Sequence, residues 1–260
     1  MRFTPRLAVI LFAALTGLAT GQVINVDFDE FSNIQVYQGL AAANDPSGAT
    51  AIWNRLSNVG TSTITRSNLI DTDGQVTGVG ITFGIHGSFL SAPGQQQLGT
   101  WEDLMQDYVY ISAPTAAEVA SNTGLIFGLE AGKFYDLYLY GQGNNFLNAY
   151  SEGQNTLFTI GGISKQTSWD GIEGGDGLLA AGIEYVKFSA QASPTGQISF
   201  NWANVVAGPG GNVATDLDGH GSRFGVLNGI QIVDVTAVPE PAAALLGALG
   251  LLGLLRRRRE

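Results

Sequence analysis

The chain has 260 residues, with 12 Lys and Arg against 22 Asp and Glu, 36 glycines, 8 prolines and no cysteine. Hydrophobic residues make up 45 % of it, enough to build a core, so it is neither an intrinsically disordered chain nor a disulfide scaffold. Glycine stands at roughly twice ordinary usage, which favours turn-rich β structure over long helices.

Arg2 and Arg6 precede the apolar run Leu7 to Leu15, and Ala19-Thr20-Gly21 then supplies the small residues a signal peptidase reads. Residues 1–21 therefore read as a secretory signal peptide cut near Gln22, and the mature protein as exported. A buried N-terminal helix fits less well, because the run is short and gives way at once to strand-like alternation. With no cysteine, stability outside the cytoplasm has to come from core burial.

Residues 22–237 form the body, of a size that an all-β sandwich reaches as one domain. It carries 20 acidic and 6 basic residues, a formal charge of −14 that repels nucleic acid and anionic lipid. Val79, Ile81, Phe83 and Ile85 alternate with Gly80, Thr82, Gly84 and His86, and Ile198, Phe200 and Trp202 alternate with Ser199 and Asn201. Period-two alternation of this kind predicts half-buried strands. Val23 to Phe28, Tyr108 to Ile111, Phe134 to Tyr140, Leu157 to Ile160, Glu184 to Ala190 and Ile230 to Val235 are further predicted strands. The best helical stretch, Pro114 to Ser121, is short. The expected fold is all-β, an antiparallel β-sandwich or jelly roll in which two sheets bury each other's apolar faces. Leu129 to Tyr135, running into an aromatic strand, looks like a tyrosine corner, in which the hydroxyl ties back to backbone a few residues upstream.

The order of Ile24 to Phe28, Trp53-Asn54, Ser67 to Gly74, Tyr135 to Gly141 and a closing strand Phe224 to Ile232 resembles the galactose-binding-like jelly rolls of secreted bacterial proteins. That resemblance implies sugar binding, adhesion or a purely structural role, since one fold hosts all three.

Residues 238–260 are of a different kind. Val238-Pro239-Glu240-Pro241 is followed by Ala242 to Leu255 without a polar residue, then by Arg256, Arg257, Arg258, Arg259 and Glu260. Fourteen apolar residues make a helix of roughly 21 Å at 1.5 Å each, short of a bilayer core of about 30 Å. The arginines would hold their end on the cytoplasmic side, leaving the body outside. Pro239, Glu240 and Pro241, a single hydrophobic helix and a terminal basic cluster resemble the PEP-CTERM sorting signal of Gram-negative bacteria. The resemblance implies an exosortase, a membrane-embedded cysteine transpeptidase, as processing partner beside signal peptidase. It also implies removal of the tail, so that the membrane is touched only through the C-terminal helix before processing, and a place at the cell surface linked with exopolysaccharide. A plain single-pass anchor is the alternative.

The body shows no thiol, Walker loop, G-x-S-x-G elbow or H-E-x-x-H, and its two histidines, His86 and His220, read as surface or structural groups. Three acidic loops set carboxylates beside glycine: Asp71 and Asp73; Asp170, Glu173 and Asp176; and Asp216 and Asp218. Carboxylates with inward-turned backbone carbonyls are the ligands Ca²⁺ uses, and Asp-Gly pairs are also ordinary turns. Trp53, Trp101, Trp169, Trp202, Tyr138, Tyr140 and Tyr150 are candidate sugar-stacking rings. Trp169 and Asp170 with Asn144 and Asn145 are the candidate glycan site. Three functions are thus expected in order: a non-enzymatic exported surface or matrix protein, a lectin-like module for extracellular polysaccharide assisted by Ca²⁺, and a glycan-active enzyme using loop carboxylates.

Overall fold

The computed structural model describes residues 22–29, 37–39, 41–43, 52–57, 62–90, 102–143, 154–172, 176–219 and 221–235. Along them run β1 (Val23–Asp29), β2 (Trp53–Ser57), β3 (Thr63–Arg66), β4 (Gly80–Gly84), β5 (Gly87–Leu90) and the short helix α1 (Glu102–Met105). There follow β6 (Asp107–Ser112), β7 (Ser121–Phe127), β8 (Phe134–Tyr140), β9 (Thr156–Ile160), β10 (Ile163–Gln166), β11 (Tyr185–Gln191), β12 (Ile198–Asn204), β13 (Phe224–Leu227) and β14 (Gly229–Asp234). The fold is all-β, as the alternation predicts.

A five-stranded sheet in the order β11-β8-β14-β1-β2 faces a six-stranded sheet in the order β10-β9-β12-β7-β4-β3. Their inner faces supply one core, with Val26 and Phe28 of β1, Leu137 and Leu139 of β8 and Ile230 and Ile232 of β14 meeting Ile81, Phe83, Phe158, Phe200 and Trp202. Phe28 crosses from one sheet to meet Phe83 of the other edge-on, with ring centroids 5.1 Å apart. Among the described strands all pairs are antiparallel except β1 with β2, which the long connection between them allows to run parallel. A third sheet, β13-β6-β5, stands beside the two.

Two expectations are corrected here. Pro114 to Ser121 is not a helix: Glu118 N bonds Thr115 O in a turn, and Ser121 already begins β7. Phe224 to Ile232 is not one strand. It breaks at Asn228, where the chain passes from β6's sheet to the one holding β8 and β1. Asn228 is fully buried and secures that corner by donating to Met105 O and Asp107 O while accepting from Gln142 N. The tyrosine corner forms: Glu130 N donates to Tyr135 Oη at 3.0 Å.

Gly21–Ala237 is one compact unit; the two terminal segments, 1–20 and 238–260, fall outside it and outside the described residues. Among the described residues no helix is long and apolar enough to cross a membrane.

Candidate functional site

Side by side, β1 and β14 bring the body's beginning and end together, since Asp234 N donates to Gln22 O at 2.8 Å. The turn that carries Asp71 and Asp73 lies at this end, because Thr72 N bonds Val23 O. Asp71 is buried, and its carboxylate is consumed locally: Oδ1 accepts from Asp73 N and Gln75 N, and Oδ2 from Gln22 Nε2. Asp73 is exposed. This loop has the geometry of a turn that holds itself closed.

The other two acidic loops meet at the opposite end of the same sheet, beyond Tyr140. After β10 the chain passes through Thr167 and Ser168, both buried, to Trp169 and Asp170, and it returns at Glu184, whose carbonyl accepts from Gly141 N. Asp-Gly chemistry shapes the path. Asp170 Oδ1 accepts from Ile172 N at 2.8 Å and Asp176 Oδ1 from Leu178 N at 2.7 Å, each across a glycine in the left-handed region, Gly171 at φ 81° and Gly177 at φ 75°. The two turns swing their carboxylates toward Glu184. One carboxylate oxygen from each of Asp170, Asp176 and Glu184 lies within 4.8 Å of the others.

Glu184 is 1 % exposed, and its Oε2 accepts from Ala180 N at 2.7 Å. Burial pushes its carboxyl up to about 7; the amides of Ala180 and Glu184 itself oppose the rise, and the charges of Asp170 and Asp176 add to it. No Lys, Arg or His forms an ion pair with these three groups among the described residues. Asp170 Oδ2 is enclosed by protein and has no hydrogen-bond partner.

The third loop abuts this corner. Asp218 Oδ2 accepts from Trp169 N at 3.2 Å and from Asn155 Nδ2, and Asp216, buried, accepts from Gln166 Nε2 through Oδ1. Asp216 Oδ2 and Asn155 Oδ1 are buried without partners. The fold therefore gathers Asp170, Asp176, Asp216 and Asp218 in one region and leaves Asp71 and Asp73 at the other end. It also adds Glu184, which sequence reasoning assigned only to a strand.

Three of the five candidate sugar-stacking rings among the described residues are core. Trp53, Tyr140 and Trp202 are buried, and Tyr138 packs against Tyr185. Trp169 is half-buried, and its indole N–H already donates to Ile172 O at 3.0 Å. His86 is exposed and accepts from Ser112 N through Nδ1, a structural tie. Trp101, Asn144, Asn145, Tyr150, Glu173, His220 and the tail residues Pro239, Glu240, Pro241 and Arg256 to Arg259 lie outside the described residues.

Residues 237–259 match the PEP-CTERM protein-sorting motif. The motif marks an exported, envelope-associated protein handled by exosortase-type machinery. Among curated proteins no match is found. Similar solved structures include the plant receptor-like kinase ANX2, with TM-score 0.40 and 11 % identity, covering 68 % of this chain and 54 % of that one. The ANXUR1 extracellular domain from Arabidopsis thaliana has TM-score 0.39 and 11 % identity, covering 60 % and 40 %. The enzymatically active domain of bacteriophage CBA120 tailspike protein 4 has TM-score 0.29 and 15 % identity, covering 66 % and 19 %. This chain thus spans about half the length of those solved chains or less, and at such distances they bear on neither site nor activity.

Proposed function

We propose that this chain is a non-catalytic envelope protein, a β-sandwich body exported behind a signal peptide and delivered to the cell surface by a tail that is then removed. The observation that carries the reading is the sorting motif at residues 237–259, placed after a body that a signal-like leader precedes. The body's charge of −14 supports contact with the membrane through the tail alone. Glu184 is the group whose raised pKa would suit a general acid, but at 1 % exposure it offers no surface to a substrate, and this favours a non-catalytic body. Recognition of a surface polysaccharide is the second reading, favoured by the half-buried Trp169 beside Asp170.

The test is to express the full chain in a host that has an exosortase, beside a variant lacking Pro239 to Glu260, and to fractionate the cells. The full chain is expected at the surface with the mass of a tail-less product, and the truncated variant missorted. Identical location and processing of both would overturn the sorting function. Retention of an intact tail in the inner membrane would reduce it to an anchor.

A further inference from the structure

We propose that Asp170, Asp176 and Glu184 hold a Ca²⁺ ion between the loop after β10 and the start of β11. This goes beyond the sorting reading: the site rests on residues of the body, and only the availability of Ca²⁺ draws on the export that the sorting reading implies.

The three carboxylates converge to within 4.8 Å at an end of the sandwich where no lysine, arginine or histidine pairs with them among the described residues. Convergence alone would mean little, since acidic groups often share a surface. Two further observations concern the interior. Glu184 is 1 % exposed and aimed into the cluster, with a backbone amide on Oε2 and no cationic partner. Asp170 Oδ2 is enclosed and accepts no hydrogen bond. A buried carboxylate facing two like charges is costly unless something positive or a proton sits among them. Nearby, Asn155 Oδ1 and Asp216 Oδ2 are likewise buried and unpartnered, in residues 1 % and 7 % exposed. Three buried acceptor oxygens in this region, one each from Asn155, Asp170 and Asp216, thus accept no hydrogen bond.

The donor set selects the ion. All ligands are oxygen, with no imidazole or thiolate, which suits a hard cation and not zinc or copper. The arrangement also suits Ca²⁺ over Mg²⁺: three carboxylates spread over separate turns leave room for water in a shell of six to eight oxygens, where Mg²⁺ demands a tighter octahedron. A protein outside the cytoplasm meets Ca²⁺ at concentrations where extracellular modules, with dissociation constants of roughly 10⁻⁴–10⁻³ M, are filled.

Trp169 adjoins Asp170 and serves as the reporter. Tb³⁺, a luminescent stand-in for Ca²⁺, is titrated into the full chain in detergent with excitation of tryptophan, and calorimetry with Ca²⁺ runs in parallel. Saturable Tb³⁺ emission that Ca²⁺ displaces is expected. Asp176→Asn, at an exposed position that leaves the core untouched, and Glu184→Gln should each weaken Ca²⁺ at least tenfold, while Asp73→Asn at the other end changes nothing. A flat titration, or equal affinity in the wild type and Asp176→Asn, would overturn the site. Should Glu184→Gln fail to fold, Asp176→Asn alone carries the result.

Discussion

At the scale of single residues, Glu184 dictates how stability responds to pH. Its carboxyl titrates near 4.5 when the chain is unfolded and near 7 in the fold, where burial and the facing carboxylates of Asp170 and Asp176 disfavour its charge. The native state therefore binds more protons than the unfolded state between these values. The stability this group permits is complete below pH 4.5, falls as pH rises and is lost above pH 7, a difference of about 3 kcal/mol at 1.36 kcal/mol per unit. In chelator, the wild type should melt at a lower temperature at pH 8 than at pH 5. Glu184→Gln, which cannot ionise, should flatten that decline and melt higher than wild type at pH 8. Scanning calorimetry at the two pH values decides it, and parallel curves for the two proteins would mean that the Glu184 carboxyl holds its proton equally tightly in the folded and the unfolded chain. Asp170 and Asp176 were legible in the sequence because Asp-Gly pairs announce turns. Glu184 was not, because it stands immediately before an alternating strand and meets the aspartates only when that strand joins its sheet.

At the scale of elements, strands with strong alternation were legible and quiet ones were not. Phe134–Tyr140 appears with the bounds that alternation predicts, and β1, β4, β6, β9, β11, β12 and β14 lie within two residues of prediction at each end. β3, β5 and β10 escaped because they are four-residue edge or side strands with mostly exposed or half-buried side chains, so no apolar period marks them. β7 reads SNTGLIF, and its glycine has a tertiary cause. Gly124 stands between Phe83 of β4 and Phe200 of β12 in register, and a Cβ added there would lie 2.1 Å from the Phe200 ring. The glycine is the space into which that aromatic folds, at the centre of the six-stranded sheet. Gly124→Val should therefore cost at least the ~1–3 kcal/mol typical of overpacking, despite valine's higher strand propensity. Urea unfolding measures it, and an unchanged midpoint would show that the Phe200 ring can move aside.

At the scale of the whole molecule, the order of the chain and the order of the sheet are out of step. The first strand pairs with the last: Val23 faces Val233, and β14 lies between β1 and β8 with Ile230 and Ile232 at 0 % and 1 % exposure. The five-stranded sheet cannot close until β14 has been delivered, so its pairing waits on contacts of long sequence separation. Asp234 ends β14, the last strand of the described sheet, and the Pro239-Glu240-Pro241 triplet begins five residues later in the sequence. The acidic corner at Glu184 lies at the other end of β8, whose seven residues span roughly 20 Å at about 3.3 Å each, away from the point where the chain leaves for the tail. Folding and sorting should thus be separable within a few residues. A chain ending at Ala237 is expected to unfold in one cooperative step at the midpoint of the full-length protein, whereas a chain ending at Asn228, stripped of β14, should show none. Circular dichroism melts of the two truncations test this. A cooperative melt of the shorter chain would mean that β1 and β8 can close the sheet without the strand between them, and equal loss of cooperativity in both would mean that the sandwich depends on its sorting tail.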